Sequence, residues 1–218
     1  MKFVLVLIVF LLSFPVRAIN VGSVTNYIFS NQDSIYKKIK NNTDEARLIL
    51  INIEEISSPD TNGVVINSHP KDVLLTPSKL IMPAQSEKNI RFFYYGPSDD
   101  KERYYRIYWQ DSNLSSETAR LAAKNATASA TAVVGTILVV NPRLEKFSYK
   151  YENGYLENTG NTSYRVVAYG PCIDNHLSSC KENYNDLPGR KRHFRLVDME
   201  QKNSFIGIWN KDNFINVK

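Results

Sequence analysis

The chain has 218 residues, of which 43% are hydrophobic and 22% are charged, and its formal net charge is +5. This length suits two small domains, and the balance of apolar and charged residues is that of a folded protein rather than a disordered one. The charge excess is too small to demand a nucleic-acid partner.

The first 18 residues are predicted to be a secretory signal peptide. Lys2 precedes an apolar run over residues 3–12, and residues 16–18 (VRA) place small side chains at the first and third positions before a cleavage point. The apolar run is too short for a membrane span. Cleavage after Ala18 leaves 218 − 18 = 200 residues and a charge of 5 − 2 = +3, because Lys2 and Arg17 are lost. We therefore expect an exported protein with no stable membrane insertion and no nucleic-acid partner.

Short strand-like segments dominate the rest of the chain. They are rich in β-branched and aromatic residues, which favour half-buried strands, and turn residues separate them. Asn153-Gly154 lies between two of the segments and fits a tight hairpin turn. The segments are Ala46–Ile56, Lys88–Tyr95, Arg103–Trp109, Val133–Val140, Phe147–Tyr151, Tyr155–Asn158, Ser163–Tyr169, Phe194–Val197, Phe205–Trp209 and Phe214–Val217. Many short strands of this kind predict an all-β protein made of β-sandwiches.

The strand pattern restarts after Pro142, so we predict a domain boundary at residues 141–144. The predicted organisation is a signal peptide over residues 1–18 and two immunoglobulin-like β-sandwich domains over residues 19–142 and 143–218.

Residues 125–142, NATASATAVVGTILVVNP, combine two kinds of strand pattern. The second half is a run of Ile, Leu and Val, whereas the first half alternates Ala with Thr or Ser, so one face carries only methyl groups. The preceding residues 111–124 are polar and Ala-rich and fit a short helix or a loop. Residues 125–132 are therefore interpreted either as a thinly apolar strand or as the end of that helix or loop.

No motif for catalysis or metal binding stands out. His69, His176 and His193 lack the spacing of zinc ligands, and the sequence has no nucleophile elbow and no phosphate-binding loop. Cys172 and Cys180 are the two cysteines, and a close pair in an exported chain predicts a disulfide, with two free thiols as the alternative. We predict a protein that is not an enzyme and holds neither a metal nor a cofactor.

Two stretches carry a family resemblance. LLTPSKLIMPAQSEKNIRFF (residues 74–93) and SDDKERYYRIYW (residues 98–109) resemble the periplasmic chaperones of chaperone–usher pili. VGTILVVNPR, NTGNTSYRVVAYGPC and CKENYNDLPGRKR strengthen the resemblance, which is closest to the common-pilus branch and covers nearly all of the mature chain. It implies two immunoglobulin-like domains in an L-shaped arrangement. It also implies a periplasmic protein that binds pilus subunits and hands them to an outer-membrane usher.

The resemblance assigns a role to the alternating alanines. Family members lend a strand of the first domain to a subunit that lacks its own last strand. An ungapped placement of that donor strand back from Pro142 puts the donated side chains at Ala128, Ala130, Ala132 and Val134. The family has larger aliphatic residues there, and each reduction from Leu to Ala forgoes about 2 kcal/mol of burial. This departure implies a shallow subunit groove, a complex held by backbone pairing, or a register shifted toward Val134.

The resemblance also points to a subunit anchor that this chain lacks. The family holds the subunit's C-terminal carboxylate with an Arg and a Lys, and their positions fall on Asn26 and Ile137. The expected replacements are three arginines on strands of the first domain, Arg91, Arg103 and Arg106.

A salt bridge between the two domains is a further expectation. Glu102 matches the acid of the family's Asp-Lys-Glu signature. Its usual Arg partner precedes the boundary proline; here Asn141 stands at that position and Arg143 follows the proline, so Arg143 is the expected partner.

Two other classes of protein remain as alternatives. A pilus subunit or tip adhesin needs a donor extension at its mature N-terminus, whereas residues 19–22 lead almost directly into the first strand. A secreted immunoglobulin-like receptor domain would carry glycans on Asn41 or Asn125, both of which begin an N-x-S/T triplet.

Overall fold

A computed structural model describes residues 19–114, 131–174 and 179–218, and these residues form two β-sandwiches. The strands of the first sandwich are β1 (Thr25–Ile28), β2 (Ser34–Asn41), β3 (Arg47–Ile56), β4 (Val65–Asn67), β5 (Val73–Thr76), β6 (Lys79–Met82), β7 (Ser86–Tyr94), β8 (Arg103–Asn113) and β9 (Thr131–Val140). The strands of the second are β10 (Tyr149–Glu152), β11 (Tyr155–Asn158), β12 (Tyr164–Gly170), β13 (Cys180–Asp186), β14 (Lys191–His193), β15 (Phe205–Asn210) and β16 (Asn213–Asn216).

The first sandwich packs a large sheet against a small one. The large sheet has the order β1-β9-β8-β3-β4, with β6 also paired to β3, and the small sheet has the order β2-β7-β5. Strand alternation builds the core, because Tyr105, Ile107 and Trp109 are buried at every second position of β8. Phe92 of β7 meets Trp109 edge to face, with ring centroids 6.3 Å apart. The core of this sandwich lies entirely within residues 19–140.

The second sandwich has its own core around Phe194 and Ile206. Its sheets have the orders β10-β11-β14 and β13-β12-β15-β16. The predicted hairpin turn is confirmed, because Asn153 and Gly154 join β10 to β11 with φ values of 52° and 76°. The predicted Cys172–Cys180 disulfide is also present, with an S–S distance of 2.08 Å; His176 lies outside the described residues.

Two sequence predictions of secondary structure need correction. Residues 111–113 continue β8 as strand instead of beginning a helix or loop, because all three pair with β3, and Asp111 and Ser112 also pair with β9. Residues 194–197 are not a strand: the nearby strand is β14, at Lys191–His193, and Phe194 and Val197 fill the core from the segment that follows it.

The prediction of an all-β protein with two sandwiches is confirmed. Every strand up to β9 pairs within the first sandwich, and every strand from β10 pairs within the second. The short segment from Asn141 to Ser148 connects them. Across the described ranges, no helix is long and apolar enough for a membrane span.

Candidate functional site

The two edges of β9 are occupied to different extents. Along one edge, β8 pairs with β9 without a break, from Arg103 opposite Val140 to Ser112 opposite Thr131. Along the other edge, β1 pairs in parallel with residues 137–140 only. Within the described part of the chain, residues 131–136 therefore have one edge without a strand partner. An edge of this kind is a template on which another chain can add a strand.

The contacts of β1 show which backbone groups face the open edge. The amide of Ile137 donates to the carbonyl oxygen of Val24 at 2.7 Å, and the amide of Asn141 donates to that of Ile28 at 3.0 Å. Because the direction of N–H and C=O groups alternates along a strand, the backbone groups of Val133 and Gly135 face the same side. Those two residues present their amides and carbonyls to the open edge.

The side chains of β9 alternate between two faces. Val134 packs against the core of the first sandwich, and the hydroxyl of Thr136 on the same face accepts a hydrogen bond from the indole of Trp109 at 2.9 Å. Ala132 follows on this face and is half-buried. Val133 lies on the opposite face and is 61% exposed. The predicted donor positions Ala132 and Val134 thus continue the face that carries the domain's own core, whereas Ala128 and Ala130 lie outside the described residues.

A buried lysine lies where the open edge begins. Lys37 sits on the core face of β2, between Ile35 and Ile39, and is 4% exposed. Its ammonium donates to the carbonyl oxygen of Ser23 at 2.5 Å and lies 5.9 Å from the centroid of the Trp109 ring. Burial lowers the pKa of Lys37 to about 8. Among the described residues no carboxylate forms an ion pair with this ammonium.

Sequence reasoning missed Lys37, although a signal for it exists. The segment SIYKKIKN alternates apolar and polar residues, and Lys37 occupies a position on its apolar face. A lysine at a core-facing strand position is uncommon and is a stronger sign of function than a lysine on a solvent-facing position.

The structure separates the three arginines that were expected to anchor a subunit. Arg91 lies on the small sheet, where it binds the Ser34 hydroxyl at 3.1 Å and stacks between Tyr36 and Phe93 at 5.6 Å from each ring. A position between those two rings keeps Arg91 away from β9.

Arg103, the first residue of β8, is engaged by the loop that precedes this strand. Its guanidinium binds both oxygens of Asp99, at 2.8 Å and 2.6 Å, and this bidentate contact lowers the pKa of Asp99 to about 2. Arg106 lies on the outward face of β8, directly opposite Ile137 of β9. Arg103 and Arg106 both lie on β8 opposite β9, but Arg106 is nearer to the open half of that strand, and Arg103 is already engaged by Asp99.

The expected salt bridge between Glu102 and Arg143 does not form. Glu102 accepts hydrogen bonds from the amide of Ser163 at 2.7 Å, from the Ser163 hydroxyl and from the Tyr104 hydroxyl at 2.7 Å. Burial raises the pKa of Glu102, while these donors act in the opposite direction. Arg143 instead donates to backbone carbonyl oxygens of the first sandwich, those of Phe29, Ser30 and Gln32.

Glu102 and Arg143 thus make separate contacts across the joint between the two sandwiches. Glu102 of the first sandwich binds the start of β12, and Arg143, just after the boundary proline, binds the loop after β1. The carboxylate has its donors at Ser163 and Tyr104, and the guanidinium has its acceptors in the chain at residues 29–32, so neither needs the other.

A hydrogen-bonded chain occupies the centre of the joint. The buried amide of Asn141 donates to the Thr162 hydroxyl at 2.8 Å, and that hydroxyl lies 3.4 Å from a carboxylate oxygen of Glu102. Two ion pairs also belong to the joint: Arg190 binds Asp60 across the two sandwiches, and Lys211 binds Glu145 of the connecting segment at 2.6 Å.

A cleft of about 480 Å³ opens between the sandwiches beside this joint. β1 contributes Thr25 and Tyr27 to one wall, and the second sandwich contributes Arg165 and Trp209 to the other. The cleft therefore adjoins the strand that covers the paired half of β9.

Two β-sandwich domains in one chain are the class of fold found in solved fimbrial chaperones. The class 5 fimbriae chaperone CfaA superposes with a TM-score of 0.57 at 16% identity, covering 91% of this chain and 97% of that one. The YadV chaperone superposes with a TM-score of 0.54 at 11% identity, covering 92% of this chain and 98% of that one. At these identities the likeness concerns the fold alone.

Sequence similarity gives the particular family. The family of the EcpB C-terminal domain matches residues 147–217. A protein of Escherichia coli O157:H7 named probable fimbrial chaperone EcpB is 46% identical over 222 residues, covering 100% of both chains. The protein of that name from Escherichia coli K12 is 46% identical over 206 residues, covering 94% of this chain and 93% of the relative. The chain belongs to the EcpB family of fimbrial chaperones.

Proposed function

We propose that this protein is a periplasmic, non-catalytic chaperone that stabilises pilus subunits by donor-strand complementation and delivers them to an outer-membrane usher. The observation that carries the proposal is the open edge of β9 at residues 131–136, beside a fully paired continuation of the same strand. The names of the relatives agree with it, since they are described as fimbrial chaperones. One solved structure of similar fold is described as a SafA pilin in complex with the SafB chaperone.

Export and cleavage after Ala18 form part of the proposal. The N-terminal residues also favour a chaperone over the alternative of a pilus subunit or tip adhesin, which needs a free donor extension. Ile19 and Val21 are buried, and Asn20 exchanges two backbone hydrogen bonds with Lys40. Residues held in this way are not available as a donor for another molecule.

The donated side chains are proposed to be Ala128, Ala130, Ala132 and Val134. In β9 the even-numbered residues face the domain's core, so a subunit that adds strands to the open edge extends that core on the same side. Val134 contributes to the chaperone's own core, so small side chains dominate the part offered to the subunit. Backbone pairing then supplies more of the affinity than groove filling does.

Lys37 is proposed as the anchor for the subunit's C-terminal carboxylate, in place of the arginines that the sequence suggested. A strand added to the open edge lies on the same side of β9 as β1 and in line with it. If it runs parallel to β9, as β1 does, its C-terminus meets the chain at Ser23, whose carbonyl oxygen binds Lys37. A carboxylate at that point gives the buried ammonium a counter-ion. Arg106, on the outward face of β8, serves as the comparison residue.

Replacement of one edge amide tests the proposal. The Val133→Pro substitution removes a donor from the open edge and leaves the ladder to β8 intact, and proline is tolerated on strand edges. We expect the variant to fold and to lose capture of a co-expressed common-pilus subunit by at least about 100-fold, because Val133 lies within the proposed ladder of backbone bonds to the subunit. Val133→Ala keeps the amide and is the matched control. Capture by Val133→Pro at the level of Val133→Ala would show that the subunit does not use this edge.

A further inference from the structure

A buried carboxylate at the end of β8 has no part in the proposed function. Asp111 is fully buried, and its two oxygens have different partners. One accepts a hydrogen bond from the guanidinium of Arg47 at 2.6 Å, and the other accepts one from the backbone nitrogen of Ile19 at 3.0 Å. Ile19 is the residue that follows the predicted cleavage point, and it is 5% exposed.

The neighbours of Ile19 hold its nitrogen in this buried position. Asn20 and Lys40 exchange two backbone hydrogen bonds, at 2.9 Å and 2.8 Å, and the Val21 side chain is buried in the core of the first sandwich. The nitrogen of Ile19 is thus directed at Asp111 by three consecutive residues that are each fixed in the fold.

Cleavage after Ala18 changes the chemistry of this contact. In the uncut chain the Ile19 nitrogen is an uncharged amide with a single hydrogen. Hydrolysis adds the oxygen of water to the carbonyl carbon of Ala18, breaks the C–N bond and leaves an amine on Ile19. That amine takes up a proton and becomes an ammonium at neutral pH. A contact between an ammonium and a carboxylate is shorter and stronger than one made by a neutral amide, especially away from water.

We propose that the Ile19 ammonium and Asp111 form a maturation lock, which is created by signal-peptide cleavage and stabilises the strand pair that presents the open edge. This inference rests on the proposed export and cleavage after Ala18. Asp111 lies directly opposite Ala132 on β9 and opposite Ile49 on β3, so its side chain is fixed behind the first described residues of the donor strand. Removal of the signal peptide therefore rigidifies the chaperone beside the open half of β9.

Arg47 explains how the uncut chain tolerates the carboxylate. Its guanidinium neutralises Asp111 before cleavage and is itself 13% exposed, so it retains part of its contact with water. After cleavage the Ile19 ammonium donates to the second carboxylate oxygen of Asp111, which in the uncut chain accepts a hydrogen bond from the neutral Ile19 amide. The lock adds stability to a domain that already folds, rather than permitting it to fold.

A double-mutant cycle tests the lock without any subunit. The chain is released from a cleavable fusion to begin exactly at Ile19, or to begin with one additional Gly before Ile19, and each form is made with and without Asp111→Asn. We expect the additional Gly to lower the melting temperature by about 5 °C in the parent sequence and by less than about 1 °C in the Asp111→Asn background. Amide exchange at Trp109–Asn113 and Thr131–Thr136 is expected to be slower in the exact form.

Three outcomes overturn the lock. The exact and extended chains have equal melting temperatures, the Gly extension costs the same in both backgrounds, or N-terminal sequencing of the exported protein finds a first residue other than Ile19. None of these measurements involves a subunit, so they leave the donor-edge proposal standing. Conversely, failure of Val133→Pro to abolish capture leaves the lock standing.

Discussion

Val133 and Val139 lie on the same face of the same strand, yet Val133 is 61% exposed and Val139 is 3% exposed. Both pair with β8, but β1 pairs beside Val139 and not beside Val133, so among the described residues Val139 has a strand neighbour on each side and Val133 has one. The comparison teaches that residue type does not decide which half of β9 is paired on both edges and which half has an open edge in the described part of the chain. The length of β1 decides it.

The short length of β1 has a local cause. Asn20 pairs with Lys40 of β2 in the small sheet, whereas Thr25 pairs with Ile137 of β9 in the large sheet. The chain changes sheets between these residues, and Gly22 adopts a φ of 67° there, a left-handed conformation that glycine accepts without a steric penalty. Because the chain leaves the small sheet only after this turn, it reaches β9 too late to cover residues 131–136.

The largest expected difference between the two halves of β9 concerns stability. Leu138→Ala removes a fully buried side chain from the paired half and should lower the free energy of unfolding by about 2–5 kcal/mol. Val133→Ala, in the open half, should change it by no more than about 0.5 kcal/mol. Chemical denaturation of both variants measures the difference. Similar losses for the two variants would mean that the open half is covered within the free protein.

A second prediction concerns the boundary between the two halves, where Lys37 lies. Lys37→Met removes a buried charge without an acidic partner, so it should not lower stability, but it should weaken subunit binding by about 10-fold if the lysine meets a carboxylate. Arg106→Gln is the control and should leave binding unchanged. Binding measured on purified complexes tests both, and equal binding by Lys37→Met and the parent would remove Lys37 as the anchor.

The stability of the Lys37→Met variant should also depend on pH. The pKa of Lys37 in the fold, about 8, is below its usual value of 10.5 because of burial. The folded state therefore disfavours the charged form, and this cost is fully present below pH 8 and disappears as the pH approaches 10.5. Lys37→Met should thus gain more stability over the parent at pH 7 than at pH 10. An advantage that does not change across this range would show that Lys37 is well solvated.

A smaller effect is expected at the joint, beyond the paired half. Thr162→Val removes the hydroxyl that links Asn141 to Glu102 and should cost about 1–2 kcal/mol, because it leaves buried polar groups without a partner. Subunit capture should not change, since the open edge is untouched. Thermal unfolding and capture assays on the same preparation separate the two effects, and a loss of capture without a loss of stability would contradict this assignment.

The smallest prediction concerns the turn that keeps the edge open. Gly22→Ala should destabilise the protein by about 1 kcal/mol, because a side chain disfavours the positive φ at this position. The added methyl group neither fills a cavity nor clashes, because the atom nearest to the new Cβ is a carbonyl oxygen 3.7 Å away. The loss of stability therefore reflects the backbone conformation alone. A melting temperature equal to that of the parent would show that the turn relaxes to another conformation.

Alternation and turn chemistry were enough to predict most of the fold. The buried Tyr105, Ile107 and Trp109 follow the period of two that the sequence shows, and the Asn153-Gly154 turn forms where the dipeptide predicts it. The prediction of a strand at residues 194–197 was wrong, because buried side chains such as Phe194 and Val197 can also enter a core from irregular backbone. Periodicity does not distinguish that case from a short strand.

The polar contacts were harder to predict than the strands. Glu102 and Arg143 have opposite charges near one joint, but each found hydrogen-bonding partners in the backbone across that joint, which a sequence does not reveal. Arg103 is engaged by Asp99, a contact that its position at the start of a strand does not reveal. The direction of a long side chain depends on the packing around it, whereas the direction of a strand residue depends mainly on its position in the sequence.

The joint between the sandwiches combines contacts that respond differently to ionic strength. Arg190–Asp60 is partly exposed, so added salt screens it, and its contribution falls as the Debye length shortens from about 10 Å at 0.1 M to about 3 Å at 1 M. The hydrogen bond from Asn141 to Thr162 is buried and uncharged, so salt leaves it nearly unchanged. The buried hydrogen bond therefore holds the two domains together at any salt concentration, whereas the ion pair at the surface weakens as the salt concentration rises.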